Sequence, residues 1–400
     1  MSLHAGIRVL DLSLQLPGPF CTLMMADHGA DVIKVDEPEP RVRNPFAAED
    51  APGLSPSDRY LNRGKRSLTL NLKTEEGKEI FRTLAEGADV VVEGFRPGVT
   101  ERLGVDYATL SARNPRLVYC SISGYGQTGP MRNVAGHDIN YISYAGILGM
   151  SGRAGDPPAI PPVQIGDLFG GAVMALSGIL MALVARQATG QGRWVDVSMT
   201  DGSFAMLAFH AVAGLAGAPN PKRGNMILTG MYPCYETYRC SDGGYISLGA
   251  LEAWFWKGLV SALERDDLAG LQYATGEEGA KVKGDLAKIF ATKTRREWER
   301  FFDGKDVCFS PVLDLDEALS HPNAAARGMV VAVESPLGGT DRQPGRPLKF
   351  AGPDAGWAAP APPRRPPCLG ENDEEILRGI GFTRERIADL RRKGVIRKNG

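Results

Sequence analysis

Three side chains far apart in the sequence stand in settings unlike an ordinary charged surface. His137 follows Ala135-Gly136 and opens the run His-Asp-Ile-Asn-Tyr. Asp167 lies in Val-Gln-Ile-Gly-Asp-Leu-Phe-Gly-Gly, and Glu252 in Leu-Gly-Ala-Leu-Glu-Ala-Trp-Phe-Trp. One imidazole and two carboxylates in apolar or glycine-rich frames have the composition to take a proton from a carbon acid and return it. That chemistry needs a weak base held dry, with its pKa poised by burial and neighbours. Each residue also has an ordinary reading. A lone histidine is usually structural, Asp167 suits the N-cap of a helix expected from Phe169, and Glu252 suits a first-turn helix acid. His137 rises above the ordinary case because it falls just past a glycine loop on the carboxyl side of an expected parallel strand, where ligands of open α/β sheets bind. At Asp167 a cap and a site are compatible, since a helix N-terminus favours an anion. Trp254, Phe255 and Trp256 beside Glu252 read as core.

Two further patterns carry chemistry. Gly124-Tyr-Gly-Gln-Thr-Gly129 matches G-x-G-x-x-G after a strand. A dinucleotide site would need a helix to open there; Pro130, Arg132 and Asn133 continue a loop instead. The glycines suit close approach of main chain to some other ligand. Arg63, Lys65, Arg66, Lys73, Arg96 and Arg102 fall in loops between sheet elements. A charge run is usually a solvated face, but this placement suits a phosphorylated ligand.

The elements that must position these residues alternate. Ile7–Leu12, Asp31–Val35, Ser67–Leu72, Asp89–Glu93, Leu117–Ile122 and Trp194–Ser198 read as strands. Helices are expected from the Pro17–Pro19 turn to about Gly29, over Thr74–Glu86 and over Phe169–Gln187. The alternation predicts an α/β fold: a Rossmann-like large domain with a parallel sheet and helices on both faces. After Pro219 the pattern changes. Tyr232–Arg239 and Tyr245–Gly249 flank Ser-Asp-Gly-Gly, a hairpin signal, and Thr294-Arg-Arg-Glu297 fits a capping box. The expected division is a large domain over residues 1–200 and 325–400 and a smaller α+β domain over 226–315. Residues 201–225 and 316–324 are expected as linkers. The Pro- and Ala-rich segment 352–368 reads as extended, and two helices, Asp373–Ile380 and Thr383–Lys393, close the chain.

The bulk numbers narrow the function class. Over 400 residues the net charge is −1, which gives neither a nucleic-acid footprint nor an acidic tail. The longest apolar stretch, Ala172–Val184, falls short of the ~20 residues of a membrane span and reads as a buried helix. The N-terminus lacks the pattern of a secretory signal, and six scattered cysteines without C-x-x-C argue against a zinc site or a disulfide framework. Cytoplasmic placement with no metal is the expectation.

Several of these runs together resemble the family III CoA-transferases (CaiB/BaiF type). They are Gly94-Phe-Arg-Pro-Gly-Val-Thr-Glu-Arg102-Leu-Gly, Gly124-Tyr-Gly-Gln-Thr-Gly-Pro130, Gly136-His-Asp-Ile-Asn-Tyr141 and Ile165-Gly-Asp167. Val35-Asp36, Asn71-Leu-Lys73 and the ending Glu375-Ile-Leu-Arg-Gly-Ile-Gly-Phe…Gly394-Val-Ile fit too. The His-Asp pair, Gly-Asp167 and Gly-Ala-Leu-Glu252 resemble the α-methylacyl-CoA racemase branch. The resemblance implies that His137 and Asp167 are the two bases on either face of an α-carbon and that Glu252 supports the histidine. It places CoA contacts on Leu70, Asn71, Leu72, Lys73, Gly94, Phe95, Arg96, Arg102, Gly136, Asp138, Ile139, Asn140 and Tyr141. It implies an acyl-CoA substrate, no cofactor beyond the CoA moiety, and an interlocked homodimer with Glu252 reaching the partner's site. The transferase branch instead uses the aspartate as a nucleophile that forms an acyl-CoA anhydride. The glycine run of formyl-CoA transferases has no counterpart after Arg223, where the chain reads Gly-Asn-Met-Ile-Leu-Thr-Gly-Met. A family arginine near the end of the second strand is replaced by Glu37. A CoA-binding protein without activity is a third alternative, though a binder has no need of two bases.

Overall fold

The computed structural model describes residues 6–39, 54–219, 222–351 and 362–398. The chain divides into two compact units. One comprises Met1–Ala145, Pro162–Leu207 and Pro322–Gly400; the other comprises Gly146–Pro161 and Ala208–His321.

The first unit is built on six strands: β1 (Arg8–Asp11), β2 (Asp31–Asp36), β3 (Arg66–Thr69), β4 (Val90–Glu93), β5 (Val118–Ser123) and β6 (Trp194–Ser198). They pair in the order β3-β2-β1-β4-β5-β6, every neighbouring pair parallel. Successive side chains of a strand face opposite ways, so each strand feeds two cores. Leu10, Ile33, Leu68, Val91 and Tyr119 pack on one face with Ile80, Phe81 and Leu84 of the helix Glu75–Glu86. Val9, Val32, Val90, Val118 and Cys120 pack on the other with Cys21 and Met25 of the helix Pro17–Asp27 and with Ala175 and Ile179. Burial on both faces is why these strands read as near-continuous apolar runs, and each fully buried Val, Leu, Ile or Phe contributes roughly 1.5–3 kcal/mol.

The expected strands and their helices are present, with some differences. A helix Pro56–Asn62, opened by a capping box between Ser55 and Asp58, was not foreseen. Nor was an antiparallel pair, Val330–Glu334 with Thr340–Pro344. The long helix begins earlier than Phe169: a π-helical stretch Gly166–Val173 runs into an α-helix Met174–Thr189. Its 24 residues are long and apolar enough to cross a membrane, which corrects the shorter run read from the sequence. It is buried along one face only rather than all round. Ala172, Ala175, Ile179 and Ala182 face the sheet, whereas Met181 and Val184 are 72% and 67% exposed. Arg186 is inside the fold, bonded to Asp89.

In the second unit Tyr235–Arg239, Tyr245–Gly249 and Phe309–Val312 form an antiparallel sheet, the last strand joining the expected hairpin. Trp256, Phe290, Trp298 and Phe302 of its helices pack on Tyr238, Ile246 and Leu248. Thr294 and Glu297 form the expected capping box. The expected linkers are not bare chain. Helices Met199–Ala205 and Ala208–Leu215 occupy much of 201–225, and Leu315–Ser320 and Pro322–Ala326 occupy 316–324. Residues 146–161 belong to this unit rather than to the large one. Of the Pro-rich segment, 352–361 lie outside the described residues, and 362–368 carry neither helix nor strand.

Candidate active site

The strand order decides where a ligand can enter. From β1 the chain builds outward through β2 and β3, then returns to place β4 on the other side of β1. The loops after β1 and β4 therefore diverge and leave a crevice at the carboxyl edge of the sheet, the usual ligand position in open α/β folds. A cavity of about 530 Å³ lies there, lined by Gln15, Gly94, Arg96, Tyr125, His137 and Asp167 among others. His137 and Asp167 also line an adjoining cavity of about 240 Å³. The two residues thus stand at one place although 30 positions separate them in sequence.

His137 is the N-cap of the helix Asp138–Tyr144, and its backbone N–H donates to Asn140 Oδ1 at 3.0 Å. No helix opens at Gly124, in keeping with a loop rather than a dinucleotide site. Gly124 is glycine for another reason. A Cβ there would meet the Tyr141 ring at 2.5 Å, and that ring is buried with its hydroxyl donating to Gly136 O. The imidazole itself is exposed in the single chain, not dry as the chemistry requires.

Asp167 is not an N-cap. It sits in the first turn of the π-helical stretch, which starts at Gly166, and its N–H donates to Asp138 Oδ1 at 3.0 Å. Gly170 and Gly202 let this stretch press backbone to backbone on the helix Met199–Ala205; a Cβ on Gly202 would lie 2.4 Å from Gly170 O. Isolated π turns recur at functional sites. Burial pushes the Asp167 carboxyl up to about 7, and the Asp138 charge pushes the same way. At neutral pH such a group is present in both protonation states, the condition for donating and accepting a proton.

The loop after β1 was not singled out in the sequence, yet Leu14, Gln15, Pro17 and Gly18 wall the cavity. It is held from below by a dry charge cluster. Asp11 and Lys65 are fully buried and paired at 3.0 Å, and Thr22 donates to Asp11 at 2.6 Å. Ser13 donates its N–H to Asp11 at 2.9 Å, and Lys34 donates to Ser13 O at 2.7 Å while pairing with Asp36 at 3.0 Å. Burial raises the Asp11 carboxyl, but the charges of Lys65 and Lys34 outweigh it and hold the group well below the usual range. From this base Gln15 is carried at φ +65°, a backbone shape that non-glycine residues rarely adopt. The run Leu-Gln-Leu-Pro-Gly-Pro directly after a strand was the available signal.

Half of the expected phosphate-binding basic cluster is structural. Arg63 is 1% exposed and bonded to Asp27 at 2.6 Å. Lys65 is locked to Asp11, and Arg66 pairs with Asp31 and Glu375. Lys73, Arg96 and Arg102 do lie at the surface. Of the other expected CoA contacts, Leu70 and Tyr141 are buried, Asn140 caps His137, and the Phe95 N–H donates to Glu93. Gly94, Phe95, Arg96, Gly136, Asn140 and Tyr141 line the large cavity, whereas Asp138 and Ile139 do not. Glu93 is itself buried, and burial raises its carboxyl to about 7 despite bonds from Ser121 and Phe95. Glu252 belongs to the second unit, exposed at the N-cap of the helix Ala253–Ala262; Trp256 is core but Trp254 is 65% exposed.

A family model described as CoA-transferase family III matches residues 5–371. The α-methylacyl-CoA racemase of Homo sapiens is 37% identical over 98% of this chain and 97% of its own length. The succinyl-CoA:mesaconate CoA-transferase of Haloarcula marismortui is 34% identical over 94% of this chain and 96% of its own. Among solved structures, a CaiB/BaiF family protein from Brucella suis superposes with a TM-score of 0.79 at 30% identity, covering 95% of this chain and 99% of that one. With its parallel sheet, its cavity at the strand reversal and its near full-length match, the chain belongs to CoA-transferase family III.

Proposed function

We propose that this protein interconverts the enantiomers of 2-methylacyl-CoA thioesters by proton transfer at the α-carbon. The observation that carries the reading is the pairing of His137 with Asp167 on one cavity, the carboxyl raised to about 7 by burial. In one direction the neutral imidazole takes the α-proton and becomes imidazolium. The thioester becomes an enolate, and protonated Asp167 delivers its proton to the opposite face. The reverse direction starts from the aspartate anion and the imidazolium. The enolate oxygen needs donors where its charge develops. The N–H groups of Phe95, His137 and Asp167 are engaged within the protein, so other amides of the glycine loops take that role. The identity to racemases over nearly the whole chain supports this reading. No cofactor beyond the CoA moiety enters it.

An exposed imidazole needs a cover. A second copy of the chain supplies it in this reading, as an interlocked homodimer in which Glu252 of one chain orients His137 of the other. The apolar surface left open on each unit supports it: Met181, Val184 and Phe204 on the first, Phe209, Val212 and Leu215 on the second, all more than half exposed. The second reading is a CoA-transferase with Asp167 as the nucleophile, favoured by the transferase relatives. The deciding experiment incubates (R)- and (S)-2-methylacyl-CoA with the enzyme in deuterated water. Deuterium at the α-carbon with the thioester intact is expected. Carboxylate-to-carboxylate CoA transfer with a hydroxylamine-trappable Asp167 adduct, and no α-exchange, would overturn the racemase reading.

A further inference from the structure

A second cleft of about 530 Å³ opens on the same carboxyl edge of the sheet, at the ends of β2 and β3, lined by Glu37, Glu39, Asn71, Lys73, Arg397 and Lys398. Its far wall is the C-terminal segment, and that wall is built into the fold. Val395 and Ile396 are buried in the core, Val395 O accepts the Asn71 N–H at 2.8 Å, and the Arg397 N–H donates to Thr69 Oγ1 at 2.8 Å. Thr69 Oγ1 in turn donates to the buried Asp373 at 2.7 Å. The backbone before Arg397 and Lys398 is therefore fixed beside β3, and three cationic side chains converge on one cleft. Opposing them are Glu37 and Glu39. Glu37 pairs with Lys73 at 3.1 Å, but both are more than half exposed, so the pair is weak and open to exchange.

The position matters as much as the charge. The cleft lies at the ends of β2 and β3, and the cavity holding His137 and Asp167 at the ends of β1, β4 and β5. At ~4.8 Å per strand, two to three strand spacings put roughly 10–15 Å between them. A compact metabolite cannot span that gap. A long ligand with a charged end and a remote reacting end can.

We infer that Arg397 and Lys398, with Lys73, hold the 3′-phosphate end of the CoA thioester, so that the C-terminal segment completes the nucleotide site. Arginine suits a phosphate through paired N–H bonds, and lysine as a point charge. This inference rests on the CoA-thioester reading above.

The test compares CoA with 3′-dephospho-CoA by titration calorimetry on the full chain, beside α-exchange on the two thioesters. Wild type is expected to prefer CoA by about 10–100-fold, the range of charge-assisted contacts to one phosphate. Arg397→Gln with Lys398→Gln should weaken CoA to the level of dephospho-CoA and leave dephospho-CoA binding unchanged. Arg397 also lies near Asp373, so Lys398→Gln alone is read alongside and should remove part of the preference. Glu37→Gln should act oppositely and tighten CoA several-fold. If the double variant kept the full preference while wild type bound CoA and exchanged the α-proton, the site is wrong and the function stands. If wild type bound neither nucleotide, both fall.

Discussion

Replacing Asp167 with asparagine should make the protein more stable and less active at once. In the folded state burial lifts this carboxyl from its ordinary 3.8 to about 7. Below about pH 4 both folded and unfolded chains hold the proton, and no cost arises. Between about pH 4 and 7 the folded chain keeps a proton that the unfolded chain has lost, so stability falls as pH rises. Above about 7 the full cost persists. The interval corresponds to a ceiling of roughly 4 kcal/mol. Asp167 is partly open to water, and screening reduces the effect to roughly 2 kcal/mol. Asparagine keeps the shape and the N–H bond to Asp138 but cannot ionise. The variant should gain nothing at pH 4 and roughly 2 kcal/mol at pH 8, or about 4–8 °C in Tm. Glu93, raised to about 7, and Asp373, raised to about 6, titrate in the same window. Both chains carry them, so the difference isolates Asp167. The assay is thermal and urea unfolding from pH 4.5 to 8 on both proteins. Parallel stability–pH curves, or a variant weaker at pH 8, would show that this carboxyl is not held dry, and the poised-acid reasoning would fall.

Three further outcomes are expected. His137→Ala should suppress racemisation by roughly 10²–10⁴-fold, with α-deuterium exchange surviving for one enantiomer only; equal loss of exchange from both enantiomers contradicts the two-base arrangement. Lys65→Met strands the buried Asp11 charge and should cost roughly 3–5 kcal/mol by urea unfolding near neutral pH; a loss below about 1 kcal/mol would mean that the cluster does not hold the β1 loop. Light scattering at micromolar concentration should give a dimer, and an active monomer would remove the proposed cover over His137.

Local pattern carried most of the elements. The six strands, the Thr74- and Thr294-capped helices and the hairpin around Ser241–Gly244 each announce themselves within a dozen residues. What local pattern lacks is pairing. Nothing within β1 says that its neighbours are β2 and β4, and the crevice follows from that order. The basic cluster shows the same limit for charge. In sequence, Arg63 and Lys65 look like Lys73, yet the first two are dry and paired across 36 and 54 positions with Asp27 and Asp11. The loop at Gln15 has apolar neighbours that give little local signal, and its place as a wall depends on ion pairs beneath it. The early start of the helix at Gly166 was hidden because a π turn has no composition of its own; it is set by Gly170 packing on Gly202.

A proton-transfer centre needs one carboxyl poorly solvated and its neighbours fixed, and both requirements are met from beneath the pocket. Asp138 accepts the Asp167 N–H, which locks the first turn, and its charge adds to the effect of burial. Beneath the loop after β1, Asp36 and Asp11 offset Lys34 and Lys65, so the loop is anchored by buried charges paired among themselves. The buried pairs thus hold in place, at the wall of the cavity, a loop that carries Gln15 at positive φ.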